Sequence, residues 1–238
     1  MTDITSETPV RDIAVKYPMT IPVLESFGID FCCGGKHTLA TACAKKELNT
    51  ESVLKELQLQ ERLDSTPATD WQQATLSDLT EYIVNKHHAF TRSQIILIRA
   101  LLDKVESRHA AHHPEILNVS KTFSVVCAEL DHHFHCEEQM LFPYIARMEK
   151  DKKTALPLAF GNVQQPIARM MADHDQAGDE FREMRELTNN YLPPDDACPT
   201  FRALYRALED LEHDLHQHIH LENNILFPRA LEQAAMTA

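Results

Sequence analysis

From about residue 76 onward, apolar positions recur in alternating steps of three and four. That spacing places apolar side chains on one face of an α-helix and predicts a seam turned toward neighbouring helices. Four segments follow it. The first spans 76–108, with Ile83, His87, Phe90, Gln94, Leu97 and Leu101 on the seam. The second spans 119–148, with Phe123, Val126, Leu130, His133, Glu137, Met140 and Tyr144. The third spans 163–189, with Ile167, Met170, His174, Ala177, Phe181 and Met184. The fourth spans 199–233, with Leu204, Leu208, Leu211, Leu215, His218, Glu222 and Ile225. Pro114 breaks the chain after the first segment, Pro157 and Gly161 after the second, and Pro193, Pro194 and Pro199 after the third. Strand signals are absent: β-branched alternation is scarce and the chain has only five glycines. Long amphipathic helices with short connections predict an all-α fold, an up-down four-helix bundle.

Residues 1–60 hold shorter apolar-periodic stretches punctuated by Pro and Gly, the pattern of a small helical domain. Asn49-Thr50-Glu51-Ser52 has the composition of a helix start leading into Val53 and Leu57. Residues 61–75, ERLDSTPATDWQQAT, lose the periodicity and are expected as a linker. The expected organisation is a domain over 1–60, a linker over 61–75 and the bundle over 76–238.

The seam carries polar residues where a core should be apolar. HHFHCEEQMLFP (132–143) and HIHLENNILFP (218–228) both contain His-x-x-x-Glu-x-x-x-Leu-Phe-Pro, with histidines and glutamates alike offset by 85 residues (133 to 218, 137 to 222). His87 and His174 stand alone on the other two segments. Each half therefore reads as lone histidine, hairpin, His-x-x-x-Glu, as if one helical hairpin occurred twice. Burying carboxylates without partners is costly. Residues i and i+4 share a helix face, so each His-Glu pair can serve one site. Taken singly, a core histidine is usually a hydrogen-bonded core residue. The repetition at core register reverses those odds and points to a metal site with His87, His133, Glu137, His174, His218 and Glu222 as ligands. Six ligands exceed one tetrahedral zinc. Nitrogen and oxygen donors without thiolate favour iron or manganese. Two metal ions, bridged by both glutamates and by an oxo or hydroxo group, account for the set and leave an open position on each.

Other histidines have plainer readings. His88 takes the place of His87 if the register shifts by one. His132, His135, His213, His216 and His220 lie off the seam, and His109, His112 and His113 lie near a helix end. Asp173 and Asp175 flank His174. The formal charge of −13 argues against a nucleic-acid partner. No run of eighteen apolar residues suggests a membrane span, and the first residues lack a secretory pattern. Six cysteines without framework spacing fit thiols in a reducing compartment. A cytoplasmic location is expected.

Residues 75–233 resemble the hemerythrin-like domain, an up-down bundle around a carboxylate-bridged di-iron centre, with four histidines and two glutamates in place of the oxygen carriers' five histidines, one glutamate and one aspartate. FGIDFCCGGKHTLATACAKKEL is similar to the ScdA-type N-terminal domain, marked by its Asp-Phe/Tyr-Cys-Cys-Gly-Gly run. Together with EEQMLFP and LENNILFPRAL, these features resemble the YtfE/ScdA/RIC family, the repair-of-iron-centres proteins. The resemblance implies a di-iron protein that restores iron–sulfur clusters damaged by nitric oxide or peroxide, with iron–sulfur proteins as clients. It implies the same six ligands. Two further functions compete with iron donation: reduction of nitric oxide or peroxide, and sensing of O2, nitric oxide or redox state. Cys32 and Cys33 are candidate reactive thiols, expected at lowered pKa beside a helix N-terminus with Lys36 and His37 nearby. Action within one chain and action across a homodimer both fit the sequence.

Overall fold

Short helices cover the N-terminal unit of the computed structural model, which describes residues 3–63, 69–150 and 162–237. They are α1 (Val10–Lys16), α2 (Ile21–Ser26), α3 (Leu39–Lys45) and α4 (Thr50–Leu63). Asn49 Oδ1 accepts from the Ser52 N–H at 2.9 Å, so α4 starts where its capping pattern predicts. It runs past residue 60 to Leu63. Residues 64–68 of the expected linker lie outside the described residues, as does the break expected at Pro157 and Gly161.

Four long helices follow. In α5, Leu76–Tyr82 continues through Ile83–His88 into Ala89–His109. In α6, Glu115–Cys136 continues through Glu137–Leu141 into Phe142–Lys150. Helix α7 is Gln164–Leu187. In α8, Pro199–Leu221 continues through Glu222–Leu226 into Phe227–Thr237. The Thr75 hydroxyl accepts from the Asp78 N–H at 3.0 Å and starts α5. Among the described residues there is no strand, and no helix is long and apolar enough to cross a membrane.

The middle stretches of α5, α6 and α8 are π-helical turns, which pass one more residue per hydrogen-bonded ring than an α-turn. Each shifts the downstream seam by one. In α5 the buried positions from His88 onward are His88, Thr91, Ile98, Leu102 and Val105, while Leu97, expected inside, is 45% exposed. In α6, Leu141 and Ile145 are buried and Met140 is 42% exposed. In α8, Leu226 joins Ile225 in the core. Helix α7 has no wide turn, and all its expected seam residues, from Ile167 to Met184, are buried. The wide turn adds a residue without rotating the faces on either side of it. Deleting exposed Asn85 is therefore expected to leave the α5 face and the fold intact, checked by thermal unfolding and circular dichroism. Loss of the fold would contradict the register account.

Two apolar clusters fill the bundle, one holding Leu79, Ile83, Ile145, Ile167 and Phe227, the other Ile98, Phe123, Phe181, Leu208 and Leu215. Along every long helix one cluster precedes the polar layer and the other follows it, in the alternating order of antiparallel helices. The second cluster is continuous with the core of the N-terminal unit, including Ile13, Leu24, Phe31 and Leu57. Phe31 packs edge-on against His220 at 5.5 Å. Off-seam His220 is therefore buried between the unit and α8, and that burial pushes its pKa down to about 4.

Candidate metal centre

Each long helix contributes to one polar layer: His88 from α5, His133 and Glu137 from α6, His174 from α7, and His218 and Glu222 from α8. None of the six is more than 3% exposed. Their Nε2 atoms form two pairs, His88 with His218 at 3.3 Å and His133 with His174 at 3.1 Å. Glu137 turns Oε2 to His88 at 3.4 Å and Oε1 to His133 at 3.3 Å. Glu222 turns Oε1 to His218 at 2.9 Å and Oε2 to His174 at 3.1 Å. Each carboxylate thus divides its oxygens between the two imidazole pairs. One donor atom each from His88, Glu137, His218 and Glu222 lie within 4.8 Å of one another, and the same holds for His133, Glu137, His174 and Glu222.

The remaining ring nitrogens set the direction of the lone pairs. His88 Nδ1 lies 2.7 Å from Glu138 Oε1, and His174 Nδ1 lies 3.0 Å from Asn223 Oδ1. An oxygen acceptor holds the proton on Nδ1, so in the neutral ring the Nε2 lone pair faces inward. There it meets carboxylate oxygens that also offer only lone pairs. Both oxygens of Glu137 and Oε2 of Glu222 are buried without a hydrogen-bond partner. Such a layer calls for positive charge at its centre. In the bare protein, protons supply part of it. Burial opposes the charged form of His133, yet Glu137 and Glu222 hold its pKa up at about 9. Burial also disfavours both carboxylates, but the imidazoles around them win and hold Glu137 low and Glu222 lower still. Burial pushes the His218 pKa down, which leaves its nitrogens free to coordinate. Four imidazoles and two carboxylates, without thiolate, form the donor set of a non-haem iron site.

Residues 78–230 match the Hemerythrin HHE cation binding domain, and residues 6–61 match ScdA_N, a domain of unknown function (DUF542). The chain is 36% identical over 225 residues to the iron-sulfur cluster repair protein YtfE of Escherichia coli O157:H7, covering 94% of this chain and 97% of that protein. It is 37% identical over 223 residues to the protein of the same name from Pectobacterium atrosepticum, covering 92% and 95%. The chain belongs to the YtfE family.

In this YtfE-family chain the structure brings five of the six side chains expected as ligands into one layer and sets His88 there instead of His87. His87 belongs to neither donor group. The wide turn over Ile83–His88 carries the following residue inward in its place. His87 is buried beside the layer, with Nδ1 3.0 Å from Asp214 Oδ1, its ring edge-on to Tyr82 at 5.6 Å and stacked on His218 at 5.8 Å. Glu138 and Asn223 were not expected as partners of the histidines. The signal was present in the repeat, since each directly follows the shared glutamate.

The YtfE-family cysteines need a second correction. Helix α3 starts at Leu39, capped by Thr38, so Cys32 and Cys33 do not sit at its N-terminus. The loop instead wraps around a carboxylate. Asp30 Oδ1 accepts from the N–H groups of Cys32 at 3.0 Å and Cys33 at 2.9 Å, and Oδ2 accepts from Gly34 N–H at 2.8 Å. A Cβ at Gly35 would come within 2.6 Å of the Phe31 carbonyl oxygen, so the backbone there leaves no room for a side chain. The neighbouring Cys33 thiol, burial and the Asp30 carboxylate push the Cys32 pKa well above the ordinary thiol value, opposite to the expected direction. Cys33 is only half-buried. Alkylation of the native protein by iodoacetamide is therefore expected at Cys33 well before Cys32, read by peptide mass spectrometry. Preferential labelling of Cys32 would contradict this.

Proposed function

We propose that this chain holds two iron ions in the His/Glu layer and gives up iron to rebuild iron–sulfur clusters damaged by nitric oxide or peroxide. The reading is carried by the division of each carboxylate between two imidazole pairs. Two donor sets that share both carboxylates suit a pair of cations about 3.5–4 Å apart. An oxo or hydroxo bridge would complete the set. The names of the YtfE relatives support iron–sulfur proteins as clients, and a cytoplasmic setting follows from such clients.

The chain's own residues orient and enclose. Glu138 and Asn223 fix the His88 and His174 rings through Nδ1. The apolar clusters on both sides keep bulk water from the carboxylates. The N-terminal unit, 1–60 in the expected division, covers α8 through Phe31. The test is transfer of label. Protein loaded anaerobically with 57Fe is mixed with a cluster-damaged iron–sulfur protein and a sulfide source. Labelled cluster in the client is the expected result, with none from Glu222→Ala. A client that gains no label from fully loaded protein rejects iron donation.

A cavity of about 20 Å³ favours a second reading. His133, His174 and His218 line it together with the apolar Leu130, Leu215 and Ile219. That volume admits one water-sized molecule, which suits reduction of nitric oxide or peroxide at the same layer. Steady consumption of nitric oxide under a supplied reductant would favour this reading, and binding without turnover would reject it.

A further inference from the structure

The two imidazole pairs are built alike but held differently. In each half of the bundle, the residue after the shared glutamate accepts a hydrogen bond from the Nδ1–H of the lone histidine. Glu138 does so for His88 at 2.7 Å, and Asn223 for His174 at 3.0 Å. On the His88 side the acceptor is a carboxylate, and Arg92 Nη1 donates to the same Oε1 at 2.8 Å. On the His174 side it is a neutral amide, whose Nδ2 donates to the Cys32 carbonyl at 3.4 Å. Neither of the other two rings has a hydrogen-bond partner on Nδ1. His218 Nδ1 is buried without a partner. His133 Nδ1 stands 3.6 Å from Asp173, beyond hydrogen-bond reach, and Asp173 is paired with Arg169 at 2.9 Å.

A carboxylate behind an imidazole makes it a stronger donor to a cation, and such partners change metal affinity about 10–100-fold. The small cavity borders both His133 and His174, but of the other pair only His218. We propose that the position between His133 and His174 is the weaker of the two and empties first. Asn223 is the positioning residue that makes it so, and it ties that position to the Cys32–Cys33 loop. The inference rests on the two-iron reading and assigns the donated ion to one side of it.

The test uses full-length protein. Metal-free chain is titrated anaerobically with Fe(II), and loaded chain is then challenged with a ferrous chelator, with Mössbauer spectra of each form. Wild type should release half its iron at least about 10-fold faster than the rest. Asn223→Asp supplies the missing carboxylate and should slow only the fast phase, by about 10–100-fold, drawing the two phases together. Glu138→Gln should accelerate only the slow phase. Both changes keep the side-chain shape, and thermal unfolding checks the fold. Two irons per chain leaving wild type in one phase would overturn the inference and leave the two-iron reading standing. A fast phase unmoved by Asn223→Asp, or a slow phase unmoved by Glu138→Gln, would also overturn it. Failure of the wild type to take up two irons would sink the two-iron reading itself.

Discussion

Glu222→Ala should purify with almost no iron, rather than with half of it. Glu222 offers Oε1 on the His218 side and Oε2 on the His174 side, so one substitution strips an oxygen from both donor groups. The charge argument sets the scale. One carboxylate about 4 Å from a cation is worth roughly 4 kcal/mol per unit charge at an effective dielectric constant near 20. Even that loss weakens each position by roughly a thousandfold. The remaining carboxylate, Glu137, would have to offset the repulsion between two divalent ions alone. The bundle itself should persist, because its apolar clusters do not depend on Glu222. Elemental analysis with circular dichroism reads both outcomes. Full iron in a folded Glu222→Ala protein would mean that the carboxylate is not shared.

The second large effect separates two adjacent histidines. His88→Ala should lose the iron held between His88 and His218, so that iron falls to about half on the two-cation reading. His87→Ala should keep its iron. Its cost is structural: the Asp214 carboxylate loses a partner at 3.0 Å, a destabilisation of about 1–3 kcal/mol. Iron content of the two variants, beside their unfolding temperatures, decides between the residues. Loss of iron in His87→Ala with retention in His88→Ala would restore the plain α-helical register and contradict the wide turn.

That pair of residues also marks where the sequence stopped being legible. Counting threes and fours placed His133, Glu137, His174, His218 and Glu222 in the one layer where the structure has them, because each lies before the wide turn of its helix or at its first residue or, in α7, the helix has none. It failed at His87, because α5 inserts its extra residue between Ile83 and the layer. Nothing in the composition of Ile83–His88 marks a π-turn. Such turns are stabilised by the tertiary constraints of a site, and local propensity does not encode them. The same slip explains why Met140 faces out and Leu141 in. Which histidines pair was also beyond the sequence, since it depends on how the helices are arranged around the layer. The environment of Cys32 was readable in part. An aspartate two residues before a turn commonly folds back on the backbone, and weighing Asp30 would have reversed the expected direction of the thiol pKa.

The most direct measurement is iron content with Mössbauer spectroscopy on anaerobically purified wild type. The account predicts about two irons per chain, antiferromagnetically coupled after oxidation, with the coupling abolished in Glu137→Ala. A single uncoupled metal ion per chain, or coupling that survives the loss of Glu137, would contradict two cations sharing both carboxylates.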